Sequence, residues 1–173
     1  MIDLKNYITT VPDFPKKGIA FRDISPLLAD KYAFALAVKN MADHFNSFGV
    51  DKIVGIDARG FIIAGAVAAS LNVGVVMARK QGKLPCRVES AEYDLEYGKA
   101  VLEIQKDSLK SGDRILLIDD VLATGGTMQA AVNCVTRLNG KIVGLGFMIV
   151  LDYLPGRKKF QQFHLFSLVN YQQ

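Results

Sequence analysis

Ile115-Leu-Leu-Ile-Asp-Asp-Val-Leu-Ala-Thr-Gly-Gly-Thr-Met128 decides the fold. Four aliphatic residues predict a buried strand, two acids follow where such a strand leaves the core, and a small glycine-containing turn leads into a helical pattern. Asp119 and Asp120 repel one another, so burial together demands partners. Vicinal ribose hydroxyls, with or without a divalent cation, are suitable ones. The turn Ala123-Thr124-Gly125-Gly126-Thr127 offers two hydroxyls, close backbone approach and the N–H groups of a helix N-terminus, which together suit a phosphate. Its spacing is neither G-x-x-x-x-G-K-[ST] nor G-x-G-x-x-G, so a terminal monophosphate fits better than a triphosphate or dinucleotide.

Outward from this segment, strand and helix alternate. A strand at 52–57, a helix at about 60–71, strands at 73–79, 100–105 and 114–119, a helix at 126–138 and a closing strand at 142–151 predict an α/β fold. Its mostly parallel sheet is flanked by helices on both faces. Before these, Phe34, Val38, Met41, Phe45 and Phe48 mark one helical face, ended by Gly49. The first thirty residues read as irregular, punctuated by Pro12, Pro15, Gly18 and Pro26. Residues 80–100 interrupt the alternation as an excursion with weak strand character, the kind of insertion that serves as a lid. Asp57-Ala-Arg-Gly60, Arg79-Lys80 and Asp119-Asp120 all fall at strand C-termini, where such sheets bind ligands.

At 173 residues the chain fits one domain, 1–173. Its net charge of +4 and pI of about 9.0 suit an anionic ligand. No dense basic cluster with interleaved aromatics argues for nucleic acid. Cys86 and Cys134 lack metal or redox spacing, and read as reduced thiols in a cytoplasmic protein. His44 and His164 are isolated and read as structural. The apolar stretch 61–78 is broken by Asn72-Val-Gly74, so it reads as a buried helix and strand rather than a membrane span.

The segment Ile118 to Thr127 resembles the phosphoribosyl diphosphate (PRPP) signature of the type I phosphoribosyltransferases. Pro12-Asp-Phe-Pro15, Gly18 to Pro26, Ala58-Arg-Gly-Phe61, Gly82-Lys-Leu-Pro85 and Tyr93-Asp-Leu-Glu-Tyr-Gly98 narrow the resemblance to their adenine-specific branch. It implies the family's fold, with a small N-terminal hood over residues 1–30 and a flexible lid hairpin over 80–100. It implies transfer of phosphoribose from PRPP to adenine, giving AMP and pyrophosphate in purine salvage, through an oxocarbenium-like transition state. Mg2+ is the implied cofactor, held mainly by PRPP and water rather than by protein ligands.

Residue by residue, the resemblance implies PRPP binding by Asp119, Asp120, Ala123, Thr124, Gly125, Gly126 and Thr127, with diphosphate contacts from Arg59, Arg79, Lys80 and Lys83. The Asp57-Ala58 peptide is often cis in this family. Glu96 is implied as the proton donor to the purine, with Tyr97 ordering the closed lid. Adenine is expected between Phe21 and Leu151, its edge read by the backbone of Ala20 and Arg22. A homodimer is implied. Two other readings compete: a transferase for 6-oxopurines, disfavoured by Ala123 where those enzymes carry an acid, and a PRPP-sensing regulator, disfavoured by the lack of an added nucleic-acid-binding surface.

Overall fold

The computed structural model describes residues 2–94 and 98–172. The N-terminal part contains β1 (Thr9–Val11), β2 (Phe21–Asp23) and α1 (Ser25–Ala29), and then come α2 (Lys31–Phe45), β3 (Lys52–Ile56), α3 (Gly60–Leu71) and β4 (Gly74–Lys80). After these follow β5 (Val88–Asp94), β6 (Lys99–Gln105), β7 (Arg114–Leu122), α4 (Gly126–Arg137), β8 (Lys141–Leu151), α5 (Gly156–Lys159) and β9 (Leu165–Tyr171).

Seven strands form one sheet in the order β5-β6-β4-β3-β7-β8-β9. From β4 to β9 every neighbouring pair is parallel, while β6 runs antiparallel to both β4 and β5. The chain leaves β3 toward β4 on one side and returns to place β7 on the other. The carboxyl ends of β3 and β7 therefore flank a topological switch point, where neighbouring crossovers diverge and leave a crevice.

The strand faces explain the two cores. Ile115 and Leu117 join a cluster with Met128, Ala131 and Val135 of α4. Leu116 and Ile118 join the opposite cluster with Met41 and Phe45 of α2 and Ile63 and Val67 of α3. A strand buried on both faces reads as an unbroken aliphatic run, as β7 does. Asp30 caps α2 by accepting from the N–H groups of Tyr32 and Ala33 at 3.0 and 2.9 Å, which satisfies donors otherwise left open at a helix start.

Several expectations need adjustment. Helix α2 stops at Phe45 and continues as a short 3-10 turn to Phe48 before the left-handed Gly49. Its buried stripe is Ala33, Ala37, Met41, Ala42 and Phe45, while Phe34, Val38 and Phe48 are only half-buried. The reason is close approach: a Cβ at Gly144 would lie 2.4 Å from Phe45, and one at Gly146 would lie 2.8 Å from the Met41 sulfur. The residues before α2 are not wholly irregular, since β1 and β2 pair from Thr9↔Asp23 to Val11↔Phe21. The frequent prolines and glycines conceal such short strands. The two strands β5 and β6 pair antiparallel at the sheet edge, and β8 does not close the sheet, because β9 lies outside it. The 61–78 stretch resolves as helix and strand, with left-handed Asn72 ending α3. Among the described residues no helix is long and apolar enough to cross a membrane.

Candidate active site

The β7 strand runs on through both acids to Leu122. Both carboxylates meet the start of α3. A Cβ at Gly60 would lie 3.0 Å from Asp119 Oδ1, so glycine is what lets the helix approach the acid. Asp120, 7% exposed, has its Oδ2 2.6 Å from Arg59 Nη2. Burial, and next the charge of Asp120, hold the Asp119 carboxyl well above the usual carboxylate range. Two neighbouring acids thus share one guanidinium, which leaves room for a further positive or hydrogen-bond-donating partner.

Arg59 also reaches the N-terminal segment. Its guanidinium lies over the Phe21 ring, 4.8 Å from the centroid. Phe14 packs edge-on against Phe21 at 5.1 Å and 73°. With Val11, Asp23 and Ser25, these three residues line a cavity of about 400 Å3. On the other side of α3's start, Arg79 Nε contacts Asp57 Oδ2 at 3.3 Å, and its Nη1 donates to the Lys83 carbonyl at 3.3 Å. The Asp57-Ala58 peptide is cis, as the resemblance implies. Three strand ends therefore meet at one place, joined through Asp57, Arg59 and Gly60.

Beyond β7, left-handed Gly125 (φ 81°) precedes α4. A Cβ there would lie 2.9 Å from Phe160, and one at Gly156 would lie 2.2 Å from the Ala123 carbonyl oxygen. That oxygen accepts the Gly156 N–H at 3.0 Å. The turn is thus clamped from behind by the segment after β8, with its front open. The front borders a cavity of about 590 Å3, walled by Thr124, Gly126 and Thr127 on one side, by Glu92 and Asp94 of β5 on another, and by Lys159.

Of the residues expected here, Arg59, Arg79, Asp119, Asp120, Phe21 and the Ala123–Thr127 turn come together. Lys80 and Lys83 are exposed near Arg79. Leu151 is buried at the end of β8 and does not line the aromatic cavity, nor does Ala20. The Arg22 side chain turns away, donating to Thr10 Oγ1 and lying 3.9 Å over the Tyr171 ring. Glu96 and Tyr97 lie outside the described residues. Phe14 and Lys159 were missed by sequence reasoning: Phe14 sits among prolines like any loop aromatic, and Arg157-Lys-Lys159 has the look of a solvated basic run.

The family profile of the phosphoribosyl transferase domain matches residues 25–170. An adenine phosphoribosyltransferase of Halothermothrix orenii is 51% identical over 97% of this chain and 99% of its own length. Among solved structures, the adenine phosphoribosyltransferase of Thermoanaerobacter pseudethanolicus superposes with a TM-score of 0.94 at 42% identity, covering 97% of this chain and 98% of that one. The Giardia lamblia enzyme complexed with 9-deazaadenine also gives 0.94, at 40% identity over 99% and 97% of the two chains. With identity this high along the full length of both partners, and with the acid pair, turn and aromatic cavity in register at one sheet edge, the chain belongs to the adenine phosphoribosyltransferase family.

Proposed function

We infer that the chain transfers the 5-phosphoribosyl group of PRPP to N9 of adenine, giving AMP and pyrophosphate in purine salvage. The observation that carries this reading is Arg59, which touches both an aromatic ring fit for a purine and an acid fit for a ribose. The C1′–oxygen bond to the diphosphate breaks and the C1′–N9 bond forms. Pyrophosphate leaves with the bonding pair, and the base releases one proton. Because bond breaking runs ahead, the sugar carries positive charge in the transition state.

In this reading the residues divide the work. Asp119 and Asp120 hold the ribose hydroxyls and stabilise the developing cation. The turn from Ala123 to Thr127 binds the 5-phosphate through N–H groups and the hydroxyls of Thr124 and Thr127. Arg59, Arg79, Lys80 and Lys83 neutralise the leaving diphosphate. Phe21 stacks on the base, while Ala20 and Arg22 read its edge through backbone groups and Leu151 supports the far side. Glu96 acts as proton donor at purine N7, with Tyr97 ordering the lid.

Mg2+ held by PRPP and water fits the site, since the buried, mutually repelling carboxyls of Asp119 and Asp120 gain from hydrogen bonds to the water shell of a nearby cation. When bound with PRPP it supplies neutralisation of the diphosphate charge. A cytoplasmic location agrees with two free cysteines, of which buried Cys134 has its thiol pushed up to about 11 by burial. A homodimer is supported by exposed Ile62, Val75 and Met77. Val75, Met77 and Arg79 alternate on one face of β4, so this apolar patch leads directly to the diphosphate cations.

Product formation from PRPP, Mg2+ and each of adenine, hypoxanthine, guanine and xanthine tests the reading. Turnover with adenine alone is expected, strongly slowed by Glu96→Gln. Binding of PRPP with no turnover of any base would replace the enzyme by a regulator.

A further inference from the structure

We propose that Lys159 is a binding residue for the 5-phosphate of the sugar substrate, closing a cradle that the turn leaves incomplete. The inference rests on the transferase reading above. A phosphate monoester carries nearly two negative charges at neutral pH. The N-terminus of α4 offers roughly half a positive charge, and the turn itself contains no basic residue. The opposite wall adds no cation: it is made by β5 at Glu92, Tyr93 and Asp94. Glu92 is compensated by Lys99 at 3.1 Å. The turn's own side of the cavity has Lys159 as its cation.

Lys159 is held there by packing rather than by chance. The Gly156 N–H bonds to the Ala123 carbonyl, and neither Gly156 nor Gly125 has room for a Cβ against the other segment. Buried Phe160 fills the space behind Gly125. The Lys159 stem crosses the same glycine, with its Cδ 3.5 Å from where a Gly125 Cβ would stand. Lys159 is exposed as a residue, and no salt bridge to it is formed among the described residues. A compact cation on a flexible stem can follow a phosphate as it enters from the front. The lysine that phosphate loops of other designs carry in sequence after their glycines is here supplied from more than thirty residues downstream, across the sheet edge.

The test compares wild type, Lys159→Gln and Lys159→Arg in two assays. Calorimetric affinity for ribose 5-phosphate is expected to fall about tenfold in Lys159→Gln and to recover in Lys159→Arg. In steady-state kinetics the KM for PRPP rises by a similar factor, while kcat and the KM for adenine stay within about twofold. The loss should shrink at high salt, as expected for an exposed charge. Unchanged affinity for ribose 5-phosphate in Lys159→Gln overturns the proposal, as does a wild type that does not bind ribose 5-phosphate. A wild type that binds it in a Lys159-dependent way yet forms no AMP sustains the phosphate site and sinks the transferase reading instead.

Discussion

The two ends of the site are built in opposite ways. The proposed phosphate end is one contiguous run, Asp119 to Thr127, carried on the central strand and clamped by Gly156. The proposed base end is assembled from Val11, Phe14 and Phe21 of the N-terminal segment and from Arg59 at the start of α3. Contiguity makes the first end rigid, since its geometry follows from a strand, a left-handed glycine and a helix start. The second depends on docking a two-stranded ladder and several loops against the sheet, so its shape is set by tertiary contacts. On the proposed reading, recognition of the sugar phosphate is part of the core, and recognition of the base is attached to it.

The largest expected effect comes from breaking the clamp. Gly156→Ala places a methyl group on the Ala123 carbonyl and must displace the turn. A displacement near 1 Å can cost about 100-fold in rate, so kcat/KM for PRPP should fall by about that factor while adenine binding, measured calorimetrically, is retained. Equal loss at both ends would mean that they are not separable.

The converse experiment is Phe21→Ala. Loss of one stacking face is worth about 1–3 kcal/mol, or about 5- to 150-fold in the KM for adenine, with the KM for PRPP little changed. If PRPP binding drops in step, Phe21 serves the packing of the N-terminal segment rather than the base.

This difference also explains what could be read from the sequence. The aliphatic run Ile115–Ile118 and the glycine pair are local signals, and the strand, turn and helix they predict are present. The convergence of Asp57–Gly60 with Asp119-Asp120 followed from the rule that parallel strands expose their carboxyl ends together. Phe14 was not legible as a cavity wall, because its role depends on the turn that folds residues 13–18 back: Gly18 N–H donates to Asp13 Oδ1 at 2.7 Å. Lys159 reaches the cavity only because two glycines distant in sequence touch. The outermost strand, β9, escaped because its half-buried residues show no clean alternation.

A third prediction sharpens the contrast between function and stability at the phosphate end. Asp119 has a folded-state pKa above its ordinary value because of burial and Asp120. Its ionisation therefore opposes folding, with no penalty below the unfolded pKa and the full penalty above the folded one. Asp119→Asn should raise Tm at pH 7 by about 2–4 °C while abolishing most activity, and the gain should vanish near pH 3. A lower Tm at pH 7 would show that this carboxylate is held by more than it repels.

The smallest effect serves as a control remote from both ends. His44 and His164 approach to 2.7 Å between Nε2 atoms, and His44 stacks on Phe166 at 3.9 Å. Burial and then the charge of His164 lower the His44 pKa. Stability from neutral His44 is present above the ordinary histidine value and lost as pH falls through the lowered one. A decline in Tm of about 2 °C or less is expected between pH 6.5 and 5, removed by His44→Phe, with neither substrate's KM affected. Asp43 on the same helix, ion-paired to Lys39, faces the same side and should soften the decline.

The strand β5 at the sheet margin bears on how copies of this protein avoid sticking together. β5 leaves one side of its backbone without a strand partner, and an open edge invites a strand from another chain. Its seven residues include Glu89, Glu92 and Asp94. A second β5 drawn alongside would have to accommodate this charged row and the cations already paired to it, Lys99 on Glu92 and Lys106 and Arg137 on Glu89. Charged side chains thereby guard the margin against strand addition, and the proposed dimer would instead use the apolar face of α3 and β4, flat against flat rather than edge to edge.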